Sequence, residues 1–127
     1  MNLDLSQLDA FAIRDGNAEK QFTAGEVLES ALERVGAVEE RVRAFVQLTD
    51  MAANAAVCRI DRMVAAGEEL PPLAGVPVGI KDNMNMVRSR TTCASRILSN
   101  HCSIYDATAV ARLLSAGAVP VGKTNLD

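Results

Sequence analysis

The chain has 127 residues, 49% of them hydrophobic, enough for one core of ordinary domain size and too few for two large ones. Lys plus Arg number 13 against 16 Asp plus Glu, and this balance of −3 excludes a protein whose main work is gripping a polyanion through its own surface. Three Phe, one Tyr and no Trp exclude an aromatic stacking platform for single-stranded nucleic acid.

The start, Met1 to Asp9, has neither the basic residues nor the apolar run of a signal peptide, and no stretch is long and apolar enough to span a bilayer. A cytoplasmic location without membrane contact is the expectation. A short helix is predicted near Ser6 to Arg14, with Leu5, Leu8 and Phe11 as its apolar residues. Thr23 followed by Glu26 reads as a capping box, and Val27, Leu28, Ala31, Leu32 and Val35 recur at helical spacing until Gly36 offers a left-handed stop. Phe45, Val46 and Leu48 suit a short extended piece. A further helix starts at Thr49 or Asp50 and runs through Ala56, Ile60, Met63 and Val64 to Gly67.

Beyond Pro71 the composition changes. Residues 1–70 carry 13 acidic and 7 basic side chains, and residues 71–127 carry 3 and 6, so a −6 helical region precedes a +3 region of short β-branched runs between glycines. The first run, Val76 to Ile80, reads as a buried strand. Asp106 is placed to cap a helix with Ala109, Val110, Leu113 and Leu114 on one face, ended by Gly117, and Ala118 to Val121 is the next strand. Strand, helix and strand make one βαβ unit with two parallel neighbours. Both outer edges of such a pair stay open, so the chain is expected to be the beginning of a larger α/β fold, with residues 1–70 as helical lead-in and 71–127 as the start of the core.

Gly117 to Thr124 fits the phosphate-loop pattern GxxxxGK[ST], but the context opposes it. A phosphate loop follows a strand and opens a helix, whereas here a helix precedes Gly117 and the intervening residues are apolar and strand-like. Pro120 also has no N–H to offer a phosphate. Cys58, Cys93 and Cys102 form no CxxC pair and read as reduced, mostly buried thiols. His101 is the only histidine, which leaves no metal set and no Ser-His-Asp or Cys-His mechanism. Lys81 stands at the carboxyl end of the apolar run, where open α/β sheets bind ligands. Partial burial there disfavours the ammonium form and suits a general base; a lysine that reaches water or pairs with Asp82 is the other reading.

Four stretches then stand in register: LAGVPVGIKDN (Leu73 to Asn83), TTCAS (Thr91 to Ser95), YDAT (Tyr105 to Thr108) and AGAVPVGKTNLD (Ala116 to Asp127). In order and spacing they resemble the amidase signature family, and within it the branch of glutamyl-tRNA(Gln) amidotransferase A subunits. The resemblance implies N-terminal helices followed by the first βαβ unit of that family's mixed sheet, one incomplete amidase domain over residues 1–127. It implies a serine nucleophile, a second serine on a cis peptide bond and a lysine, with Lys81 matching the lysine. The family's glycine- and serine-rich segment, which holds both serines and the oxyanion donors, has no counterpart here. None of Ser89, Ser95, Ser99 or Ser103 lies in that context, so no nucleophile is assigned and the chain alone is expected to be inactive.

The same resemblance implies glutamine as amide donor, B and C subunits as partners, and Glu-tRNA(Gln) reached through their complex. ATP and magnesium are expected at the partner subunit, with no cofactor or metal on this chain. Arg88 stands where the family usually has a glycine, which leaves the geometry of the loop beside Lys81 open. Two other readings remain: a different amide hydrolase of the family, and a non-catalytic interaction module docking through its acidic helices.

Overall fold

A computed structural model describes residues 4–126; residues 1–3, within the stretch tested for a leader, and Asp127, which closes the fourth motif, lie outside the described residues. The expected first helix is split. A 3-10 turn spans Leu5–Gln7, and helix α1, Ala10–Ala18, begins separately because Asp9 caps it, accepting from the Ala12 N–H at 2.8 Å.

Helix α2, Ala24–Val42, starts from the capping box as read: Thr23 Oγ1 accepts from the Glu26 N–H at 3.1 Å, and Glu26 Oε2 accepts from the Thr23 N–H at 2.8 Å. It does not stop at Gly36. An interior glycine costs only about 1 kcal/mol against alanine, and the turns on either side carry good helix formers. The left-handed cap falls to Arg43, with φ of 51°.

Strand β1, Phe45–Leu48, leads into helix α3, Asp50–Ala66, which ends at Gly67 with φ of 69° as expected. The Thr49 hydroxyl makes no cap; it donates to Pro120 O at 2.7 Å and ties the start of α3 to the sheet. Strand β2, Pro77–Lys81, helix α4, Thr108–Ser115, and strand β3, Val119–Thr124, complete the βαβ unit. Asp106 is not the cap of α4. Its Oδ1 accepts from the Val87 N–H at 2.7 Å, bracing the long segment between β2 and α4, and Ala107 takes the cap position with no side-chain bond.

The sheet order is β1-β3-β2, with β2 parallel and β1 antiparallel to β3. The short extended piece therefore closes an edge that the βαβ reading left open, and β3 becomes the central strand. Between β2 and β3 the register runs Val78 to Pro120, then Gly79 to Gly122, Ile80 to Lys123 and Lys81 to Thr124, a bulge that leaves Val121 unopposed. Opposed residues share a face, so Ile80 and Lys123 lie on one side of the sheet and Lys81 and Thr124 on the other.

Three apolar clusters hold these elements. Leu28, Val57 and Ile60 of α2 and α3 pack on Val119 and Val121; Ile13, Phe22 and Val27 pack on Val76; Val110 of α4 packs on Ile80 and Met86. The three cysteines expected inside are free thiols, and all three are exposed.

Candidate active site

Lys81 is the last residue of β2, at the carboxyl end of the sheet, where its position was predicted. The desolvation expected for it is not found: Lys81 is exposed, while its neighbours Ile80 and Asp82 are 0% and 1% exposed. Strand pleating explains this. Ile80 and Asp82 face the side closed by Met86, Val110 and Lys123, and Lys81, the last residue of the strand, faces the other side with Thr124 and Phe45, its aligned partners along β3 and β1.

The buried lysine is instead Lys123, in the segment that mimics a phosphate loop. It is 0% exposed and shares its face with Asp82. Its Nζ donates to Arg90 O at 2.9 Å and to Thr91 Oγ1 at 3.1 Å, and lies 3.3 Å from Asp82 Oδ1. Asp82 Oδ1 makes no hydrogen bond, so that oxygen is held by the lysine's charge alone. The other oxygen, Oδ2, accepts from the Thr92 hydroxyl and from the Thr92 N–H at 3.3 Å. Two hydrogen bonds and one ion-pair contact thus hold the Lys123 amine in place, fully enclosed.

Further hydroxyls extend this buried network. Thr91 Oγ1 and Ser103 Oγ share a bond of 2.6 Å, and Ser103 Oγ lies 3.2 Å from Asn85 Oδ1. The chain hydroxyl, hydroxyl, lysine over Ser103, Thr91 and Lys123 has the order of a proton relay, but all three side chains are buried. It binds the segment from Asp82 to Ala107 onto the strand ends. Gly122, Lys123 and Thr124 lie within β3, where successive N–H groups point to opposite sides and cannot converge on a phosphate, in agreement with the rejected motif.

The Asp82 to Ala107 segment is conformationally demanding. Arg88 has φ of 63°, so a left-handed position falls at the site where the resembled family carries glycine, and arginine occupies it. Cys93 and Ala94, with φ of 49° and 56°, form the centre of a four-residue turn closed by the Ser95 N–H on Thr92 O at 2.8 Å. Such positions normally take glycine or asparagine and cost of order 1–3 kcal/mol each, so the surrounding bonds must hold them. A cleft of about 280 Å³ lies here, lined by Gln47, Asp82, Arg90, Thr92, Ser95 and Arg96 among others. Lys81 does not line it.

Of the residues singled out from sequence, Ser89 and Ser103 are buried, Ser95 is half-buried and Ser99 is exposed. Only Ser103 joins the Lys123 network. Among the described residues no group of His, Cys, Asp or Glu is placed to hold a metal, and no helix is long and apolar enough to cross a membrane. Asp82 and Lys123 were missed as a pair. The one available signal was that each follows a strand's apolar run, as Lys81 does.

A family model described as Amidase matches residues 26–127. The glutamyl-tRNA(Gln) amidotransferase A chain of Heliobacterium modesticaldum is 46% identical over 118 residues, 93% of this chain and 24% of that protein. Among solved structures, the native peptide amidase from Stenotrophomonas maltophilia superposes with a TM-score of 0.87 at 30% identity, over 95% of this chain and 25% of the other. The corresponding glutamyl-tRNA(Gln) amidotransferase chain from Thermotoga maritima gives a TM-score of 0.70 at 31% identity, over 100% of this chain and 25% of the other. The chain thus spans about a quarter of the length of the curated relatives it matches.

Proposed function

The chain belongs to the amidase family, and from that premise we propose that it is part of a glutamine-hydrolysing amidotransferase subunit in which Lys81 is the general base. The observation that carries this reading is the contrast between two lysines at the strand ends. Lys123 is enclosed and fully engaged, whereas Lys81 sits on a fixed strand with a free, exposed side chain and no ion-pair partner among the described residues.

In this reading the neutral Lys81 amine takes a proton from a bridging serine, which takes one from the nucleophilic serine. The nucleophile's oxygen then attacks the side-chain carboxamide carbon of glutamine, and the C–N bond breaks as a proton returns to the leaving nitrogen. Ammonia departs, and water later cleaves the acyl-enzyme to glutamate. Neither serine is assigned within these 127 residues, so the chain alone is expected to be inactive. B and C subunits complete the assembly in the cytoplasm, and the ammonia is consumed where ATP and magnesium activate Glu-tRNA(Gln).

Ammonia release from glutamine tests this, measured on the chain alone and on a protein in which the chain is joined to the serine-bearing remainder of an amidase domain. None is expected from the first. The second should be active and should lose at least about a thousandfold in Lys81→Ala. Activity that survives Lys81→Ala overturns the reading. The structural likeness to a peptide amidase favours one other substrate, a peptide carboxamide, and the same assay run with a peptide amide decides between them.

A further inference from the structure

We propose that Lys123 is a positioning residue for Lys81, acting through Asp82; this rests on the reading of Lys81 as the base. Asp82 directly follows Lys81 and is held at every polar group. Its N–H donates to Thr124 O at 2.9 Å, its C=O accepts from the Cys93 N–H at 3.1 Å, Oδ2 is bonded to Thr92, and Oδ1 faces the Lys123 ammonium at 3.3 Å. On the other side of Lys81, Ile80 is fully buried against Met86 and Val110. The backbone of Lys81 is therefore clamped between two immobile neighbours while its side chain is left free.

Lys123 is the keystone of that clamp because it joins three separate stretches. It sits on β3, bonds to the carbonyl of Arg90 and the hydroxyl of Thr91, and neutralises Asp82 at the end of β2. Those contacts also hold the turn through Cys93 and Ala94, whose left-handed backbone would relax if released. Without the ammonium, Asp82 becomes an uncompensated buried carboxylate. It then either takes up a proton or turns toward water, and in both cases the tie that Lys123 makes from β3 between the end of β2 and the Arg90–Thr91 stretch is lost. A base displaced by about 1 Å can lose on the order of a hundredfold in rate while substrate binding is unchanged.

The experiment is hydrogen exchange on the full 127-residue chain, followed by kcat and KM for glutamine in the joined protein described above. For Lys123→Met the amides of Asp82, Thr91 and Cys93 should lose protection by about a hundredfold while those of α2 and α3 exchange as before. In the joined protein kcat should fall by about a hundredfold with KM within about twofold. Thr92→Val, which removes one hydroxyl bond to Asp82 from a half-buried position, gives a smaller step in the same direction and serves if Lys123→Met does not fold. Unchanged protection in the variants overturns the proposal, as does a uniform loss across the chain, or a local loss with kcat unaltered. The Lys81→Ala result is separate: if that variant keeps its activity, the reading of Lys81 fails whatever the exchange data show.

Discussion

Lys81 and Lys123 are the same side chain placed in opposite circumstances, and substitution to methionine separates them. Removing one member of a buried ion pair leaves the other charge uncompensated and costs about 3–5 kcal/mol, so Lys123→Met should lower the unfolding free energy by that amount in urea titration. Lys81→Met, at an exposed site without a polar partner, should stay within about 0.5 kcal/mol of the parent. Equal losses in the two variants would refute the assignment of separate roles. The position of Lys81 was legible because the β-branched run before it marks where a strand ends. The role of Lys123 was not, because its position on the face of Asp82 depends on inter-strand register and no local pattern encodes that.

Elements whose signals are local came through from the sequence, and those set by competition did not. The capping box at Thr23, the left-handed stop at Gly67 and the β-branched run of β2 are each decided within a few residues. Gly36 and Asp106 failed as signals because something else won: helix continuation past a single glycine, and a bond from the Val87 N–H that removed the aspartate from its cap. The glycines test this at the scale of the element. A Cβ at Gly36 meets nothing within 4 Å, so Gly36→Ala should stabilise α2 by about 0.5–1 kcal/mol. A Cβ at Gly122 would lie 2.6 Å from Gln47 O and 2.7 Å from the Phe45 ring, so Gly122→Ala should destabilise by about 1–3 kcal/mol by forcing β1 from β3. Thermal or urea unfolding of the two variants should move in opposite directions.

Across the whole molecule the sheet is the least finished part. β3 is paired on both sides, whereas β1 and β2 each present one unpaired edge among the described residues. Amide hydrogen exchange on the 127-residue chain should accordingly show continuous protection along β3 and alternate protection along β1 and β2; uniform slow exchange in all three strands would mean that further pairing covers those edges. The charge division follows the same line. The acidic residues fall mainly on α1 to α3, and the basic residues Lys81, Arg88, Arg90 and Arg96 fall at the end of β2 and in the segment that follows it.

The unopposed Val121 carries a consequence for how this region can change over generations. β3 holds one residue more than its pairing with β2 uses, and the surplus decides which lysine faces inward. Were Val121 drawn into the ladder opposite Gly79, Lys123 would move opposite Lys81 onto the outer face, and Asp82 would be left alone in the interior. Loss of Val121 would keep Lys123 opposite Ile80 but would take a side chain out of the core with Leu28, Val57 and Ile60 and a carbonyl from the Thr49 N–H. Gain of one residue demands a wider bulge or exchanges the face of Lys123. For this stretch, the number of residues is as strict a constraint as their identity.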